Sequence, residues 1–221
     1  MIETMMSKLF EQSTLNPKKS FDLPSFFKND GQSMKVNSFE EADKPLLSER
    51  KVLESNTIYR EKGQSFETDD DGNVFKNNGK IKADAVFKVN GYEYETDHLG
   101  RTIRAEGRLE LNESQRKTIN EDNVGGEDKK DTDDRGHLIA DRFGGSNKIE
   151  NLVPMDANLN RGEYKKIENL WADAISDGKN VEVKVEPIYE GDSRRPSFFD
   201  ISYSINGEER VTSLINERSI S

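Results

Sequence analysis

The sequence predicts an α+β domain built around an antiparallel sheet, and two observations carry that expectation. Asn90-Gly91 and Asn206-Gly207 each stand between segments that read as strands, the strongest short-range signal of a two-residue hairpin. Between these hairpins, residues 161–176 place Tyr164, Ile167, Leu170, Trp171, Ala174 and Ile175 on one face at helical spacing, with Gly178 as the stop.

Taken in order, residues 1–56 read as a linker or a disordered, partly helical tail. Phe10, Phe21, Phe26, Phe27 and Phe39 follow no sustained period, and Pro17, Pro24 and Pro45 interrupt them. A short helix over residues 40–55 fits the pattern. The folded domain is expected over 57–221. Strands are expected at 83–89 and 92–96, the second with Tyr92 and Tyr94 on one face. His98-Leu99-Gly100 turns the chain into a strand at 101–111. Asn112 or Ser114 can cap a short helix to about residue 120. A charged loop covers 121–133, a second loop 143–147, and a short strand 151–153. Strands at 181–188, 198–205 and 209–215 follow the long helix. Residues 67–73 resemble a calcium loop but have Asn78 where the closing glutamate belongs, so a hairpin turn is the reading. No internal repeat is visible.

Hydrophobic residues make up 32% and charged residues 34%, so part of the chain is expected to lie outside the core. The formal net charge is −10, which opposes a broad basic nucleic-acid footprint but does not describe a single cleft. Seven acids against two lysines crowd residues 121–134, and such a solvated loop can mask a basic face. The absence of cysteine excludes disulfides, thiolate nucleophiles and cysteine-based zinc sites. The first ten residues lack a basic region followed by an apolar core, so a Sec signal is not expected. No apolar run is long enough to span a membrane.

The densest chemistry lies in Asp134-Arg135-Gly136-His137, Asn151-Leu152-Val153-Pro154, Asn160-Arg161-Gly162 and Glu168. His137 can accept a proton near neutral pH. Arg135 and Arg161 can hold phosphate, and Asn160 offers a neutral oxygen to a hard cation. Arg135 and His137, two apart, share a face of extended chain. Asn160 is placed at the start of the long helix, where backbone N–H groups and the dipole favour phosphate, and where asparagine also caps. Glu168 lies about two helical turns on, within reach through water. Asn151 is balanced between loop geometry and the site. His98 reads as an ordinary turn residue, Tyr164 and Trp171 as core, and Lys18, Lys19, Arg194 and Arg195 as solvated loop residues.

At these residues the chain resembles the DNA/RNA non-specific endonucleases of the ββα-metal type. Residues 136–145, 151–154 and 160–171 are similar to the nuclease toxin domains at the C-termini of polymorphic, type VII-secreted toxins of Gram-positive bacteria. The resemblance runs from about residue 92 to the end and is sharp over 134–171. It implies a ββα-metal core with a central antiparallel sheet flanked by helices. It implies His137 as general base, Asn160 as the one protein ligand of Mg²⁺ (or Mn²⁺), and Glu168 orienting the metal's waters. Asn151 would stand at the metal or one layer out, and Arg135 would bind phosphate. An arginine that some members carry four residues after the glutamate is Ala172 here, which leaves the transition-state charge to Arg161, Arg142 or another arginine. The expected activity is Mg²⁺-dependent cleavage of DNA, RNA or both, leaving 5′-phosphates; backbone recognition does not separate the two substrates. The implied setting is an antibacterial toxin exported by a non-Sec, type VII-like route, acting in the target-cell cytoplasm and restrained in the producer by an immunity protein. The alternative is a nuclease-fold binding module without activity.

Overall fold

A computed structural model describes residues 35–38, 53–112 and 124–217, the first of these by backbone alone. Five strands come first: β1 (Lys35–Ser38), β2 (Thr57–Glu61), β3 (Gln64–Thr68), β4 (Val74–Asn77) and β5 (Lys80–Ile81). They form one sheet in chain order, with β1 parallel to β2 and the remaining pairs antiparallel. Strand β1 lies inside the stretch expected to be a linker or tail. The helices expected at 40–55 and 112–120 fall almost wholly outside the described residues. Residues 69–73 form the turn between β3 and β4, where Asp69 Oδ1 accepts from the backbone of Asp71 at 3.0 Å and Asn73 at 2.7 Å. That is a hairpin device and not a cation loop.

The second, six-stranded sheet is antiparallel throughout. It comprises β6 (Val86–Val89), β7 (Tyr92–Thr96), β8 (Thr102–Arg108), β11 (Val181–Tyr189), β12 (Pro196–Ile205) and β13 (Glu208–Ile215), in the order β13-β12-β11-β8-β7-β6. Asn90 and Gly91 adopt φ of 55° and 81°, the left-handed pair a two-residue hairpin needs. Tyr92 and Tyr94 share the buried face, as their alternation with Glu93 and Glu95 requires. Between β8 and β11 the chain forms a small antiparallel ribbon, β9 (Asp133–His137) and β10 (Leu152–Asp156), followed by two helices, α1 (Ala157–Arg161) and α2 (Glu163–Ser176). The architecture is the expected α+β, an antiparallel sheet with, among the described residues, one long helix, α2.

The core lies between α2 and the large sheet. Tyr164 and Trp171 are buried and meet Phe199 and Tyr203 edge-on, at ring separations of 5.9 and 5.6 Å. Such pairs contribute about 0.5–1.5 kcal/mol beyond area burial. The helix pattern holds at Tyr164, Trp171 and Ala174, whereas Leu170 faces solvent at 42% exposure. Ile167 and Ile175 pack against the core as well, and Ala172 joins the buried face, which is thus turned away from Leu170.

The N-terminal sheet is keyed into this core from behind. Phe75 stacks on Phe87 at 4.6 Å. Lys76, only 2% exposed, pairs at 2.6 Å with Glu150, which is fully buried. Lys148 Nζ and Lys76 Nζ also reach Glu67, at 3.2 and 3.8 Å. At the far end, the fully buried Asn216 amide accepts from Asp156 N and donates to the carbonyls of Pro154 and Pro196, tying the small ribbon to β12.

Two outcomes follow for stability. Lys76→Met strands Glu150 as an unpaired buried charge and is expected to cost about 3–5 kcal/mol; adding Glu150→Gln recovers most of it, read as the urea midpoint. Asp97 accepts from the backbone of Leu99 and Arg101 and from the Arg101 guanidinium. Burial pushes its carboxyl up, but those bonds outweigh burial and hold it below the ordinary carboxylate range. A lowered folded-state value stabilises above the unfolded pKa of about 4 and is lost as pH falls through the folded value. Asp97→Asn is therefore expected to melt lower than wild type at neutral pH, with the gap closing in strong acid.

Candidate active site

Strand β9 carries the candidate base at its end. Period-two alternation puts Arg135 and His137 on one face, as expected. Gly136 lies between them because β9 runs close over β10: a Cβ there would sit 2.6 Å from Met155 Cβ. His137 Nε2 lies 2.6 Å from Asn147 Oδ1. The other end of that amide is occupied too, since Asn147 Nδ2 donates to Asp141 Oδ1 at 2.9 Å.

The loop that brings Asn147 back to His137 is closed by Asn151, which is fully buried. Its Oδ1 accepts from Ile139 N at 2.9 Å, and its Nδ2 donates to the carbonyls of Ile139 at 2.7 Å and Ser146 at 2.8 Å. All of its amide hydrogens are thus spent on backbone. Asn151 therefore braces the loop through three bonds to its backbone. Further bonds reach the same loop from the large sheet: Tyr92 Oη donates to Phe143 O, and Asn90 Nδ2 to Gly144 O. Burial pushes the Tyr92 hydroxyl up to about 12, so it stays a donor.

Asn160 stands in the last turn of α1, not at the start of the long helix. Asp156 is the cap of α1, accepting from Asn158 N at 2.9 Å. The break after Arg161 falls at Gly162, where a Cβ would meet Asn158 O at 2.3 Å. Asn160 Nδ2 donates to Asp134 Oδ2 at 2.9 Å. Arg161 grips the same carboxylate with Nε at 2.9 Å and Nη2 at 2.6 Å. Burial raises the Asp134 carboxyl, but the bonds from Arg161 and Asn160 outweigh it and hold the group below the ordinary carboxylate range. Asp134 therefore stays charged and orients both side chains. Glu168 on α2 is 7% exposed and takes a bond from Lys165 Nζ at 2.8 Å.

With its nitrogen held by Asp134, Asn160 has its Oδ1 left to serve as a ligand oxygen. Among the described residues no three His, Cys, Asp or Glu side chains gather closely enough to hold a metal. This donor set suits a hard cation that keeps most of its waters, not one caged by protein.

Arg135 is half-buried on β9. Arg161 is committed to Asp134, and Arg142 donates to Asn169 Oδ1 on α2 at 2.7 Å. Ala172 is buried at 2% exposure, so the helix position where some relatives carry an arginine faces the core here. Arg195 is no solvated loop residue: it is 8% exposed and bonds Asp133 with Nε at 2.8 Å and Nη2 at 2.9 Å. His98 is exposed in its turn. Sequence reasoning did not single out Asp141, Asn147 or Lys165, and no period or spacing marks them.

A family model described as DNA/RNA non-specific endonuclease matches residues 82–207, more than half of the chain and all of the site above. The type VII secretion system protein EssD of Staphylococcus aureus strain USA300 is 39% identical over 115 residues, covering 49% of this chain and 19% of that protein. EssD from strain NCTC 8325 matches equally. The chain thus spans about a fifth of the length of these relatives. Among solved structures, partial similarity is found to the Sda1 nuclease with bound zinc ion, at 26% identity, 40% coverage of each chain and a TM-score of 0.38. An extracellular endonuclease is similar at 20% identity, covering 58% of this chain and 80% of that one, with a TM-score of 0.44. On the family match, the chain belongs to the DNA/RNA non-specific endonucleases.

Proposed function

We propose that this domain is a metal-dependent endonuclease that hydrolyses DNA, RNA or both without sequence preference, with His137 as general base. The observation that carries the reading is the placement of the His137 strand beside α1, tied by Asp134 to Asn160 and Arg161. His137 takes a proton from water as the water oxygen attacks phosphorus. The bond to the 3′-oxygen breaks and that oxygen takes a proton from solvent, leaving a 5′-phosphate and a 3′-hydroxyl. Arg135 holds the phosphate. Asn160 would hold a Mg²⁺ or Mn²⁺ through its Oδ1, and the ion, when bound, would supply electrophilic stabilisation of the leaving oxygen. Glu168, kept in place by Lys165, offers a carboxylate to ordered water. Arg161, Arg142 or another arginine meets the phosphate charge, Arg161 at the expense of its bonds to Asp134.

The similarity to EssD supports a biological setting. The domain acts as an antibacterial toxin, leaves its producer through a type VII secretion route, cleaves nucleic acid in the target-cell cytoplasm and is neutralised at home by an immunity protein. No helix among the described residues is long and apolar enough to cross a membrane.

Two measurements test the chemistry. Plasmid nicking is expected with Mg²⁺, to stop with EDTA, and to fall about 10²–10⁴-fold in His137→Ala. Wild type no faster than His137→Ala in either Mg²⁺ or Mn²⁺ favours a binding module without activity. Asn160→Ala is expected to lose activity together with metal affinity, and Glu168→Ala to be partly rescued by raised metal. Equal losses that no metal concentration restores contradict that division of roles.

A further inference from the structure

Resting on the reading of His137 as the base, we propose that Asn147 and Asp141 form a positioning relay that sets the imidazole tautomer. The relay keeps a proton on Nε2 by facing it with the amide oxygen of Asn147.

The chemistry of three groups determines the direction. An amide has one accepting end and one donating end. Asp141, when ionised, can only accept, so the 2.9 Å bond to its Oδ1 selects the donating end of Asn147. That leaves Asn147 Oδ1, an acceptor, 2.6 Å from His137 Nε2, so Nε2 must carry the hydrogen. Rotating the amide would set oxygen against the Asp141 carboxylate and a donor against Nε2. The proton would then belong on Nδ1, and the base would point its lone pair into the loop.

The relay is built to hold one arrangement. Asp141 sits in the 3₁₀ turn Asp141–Phe143, and Asn147 lies six residues on. Asn151, through Ile139 O and Ser146 O, fixes the backbone on both sides of the pair. Neither Asp141 nor Asn147 needs to touch substrate; both act through the imidazole.

The chain has two histidines, so the tautomer can be read directly in the intact protein. In the ¹⁵N-histidine-labelled full chain, with His98→Gln for assignment, neutral His137 is expected to show a pyrrole-type Nε2 and a pyridine-type Nδ1. Asp141→Ala and Asn147→Leu are expected to populate the other tautomer and to lower kcat about 10–100-fold, the usual scale for groups that orient a functional histidine, with KM nearly unchanged. The exchanged pair Asp141→Asn with Asn147→Asp keeps an acceptor on Nε2 and is expected to regain most of kcat. A wild-type spectrum with the proton on Nδ1 overturns the relay, and so do single variants with unaltered kcat. The wild-type spectrum decides even where a variant does not fold. Full activity in His137→Ala instead removes the base reading itself, whatever the spectrum shows.

Discussion

The loop from Ile139 to Asn151 must leave the end of β9, pass beneath the large sheet and return Asn147 to His137. It does so with few apolar side chains of its own. One fully buried amide, Asn151, closes it by pairing with Ile139 N, Ile139 O and Ser146 O. Each of those backbone groups would cost about 1–3 kcal/mol if buried without a partner, so the loop cannot drift without losing several at once. The position of the candidate base relative to Asn147 depends on this closure. The residue after His137 is held as well: Leu138 N donates to Asn151 O, and Tyr164 Oη donates to Leu138 O.

Support for that loop comes from three directions. The N-terminal sheet, most of which precedes the family match, reaches it through the Lys76–Glu150 pair. Glu150 also bonds Ser146, and its carbonyl accepts from Thr102 on β8. A buried ion pair adds little net stability over apolar packing but is costly to break on one side. Its value here is positional, because it joins two sheets at the loop that carries the relay. On the opposite side, Asp134 ties β9 to α1, and Gly162 allows α2 to start in a new direction.

The elements most legible in the sequence were those with a local cause. Asn-Gly turns, the alternation around Tyr92 and Tyr94, and the helical spacing of Tyr164 and Trp171 each need only a few adjacent residues to act. The strands of the N-terminal sheet were less legible, since Thr57–Glu61 and Gln64–Thr68 show no clean alternation. Buried charges such as Lys76 leave no mark in the sequence, because a lysine becomes a core residue only when a distant carboxylate meets it. Arg195 was hidden for the same reason, with its partner Asp133 lying 62 residues away.

By itself the sequence determined the fold class, the hairpins and the long helix, because turn chemistry and periodicity are written in neighbouring residues, and its motif spacing pointed to His137, Asn160 and Glu168 as candidates. Tertiary structure decided what those residues face. It moved Asn160 to the end of a short helix, turned Asn151 inward as a brace, and committed Arg161 to Asp134. It also brought Asp141 and Asn147 to the imidazole. Those outcomes depend on hydrogen bonds whose donors and acceptors meet only once the loop closes, and one-dimensional spacing carries no record of which end of an amide a fold will use.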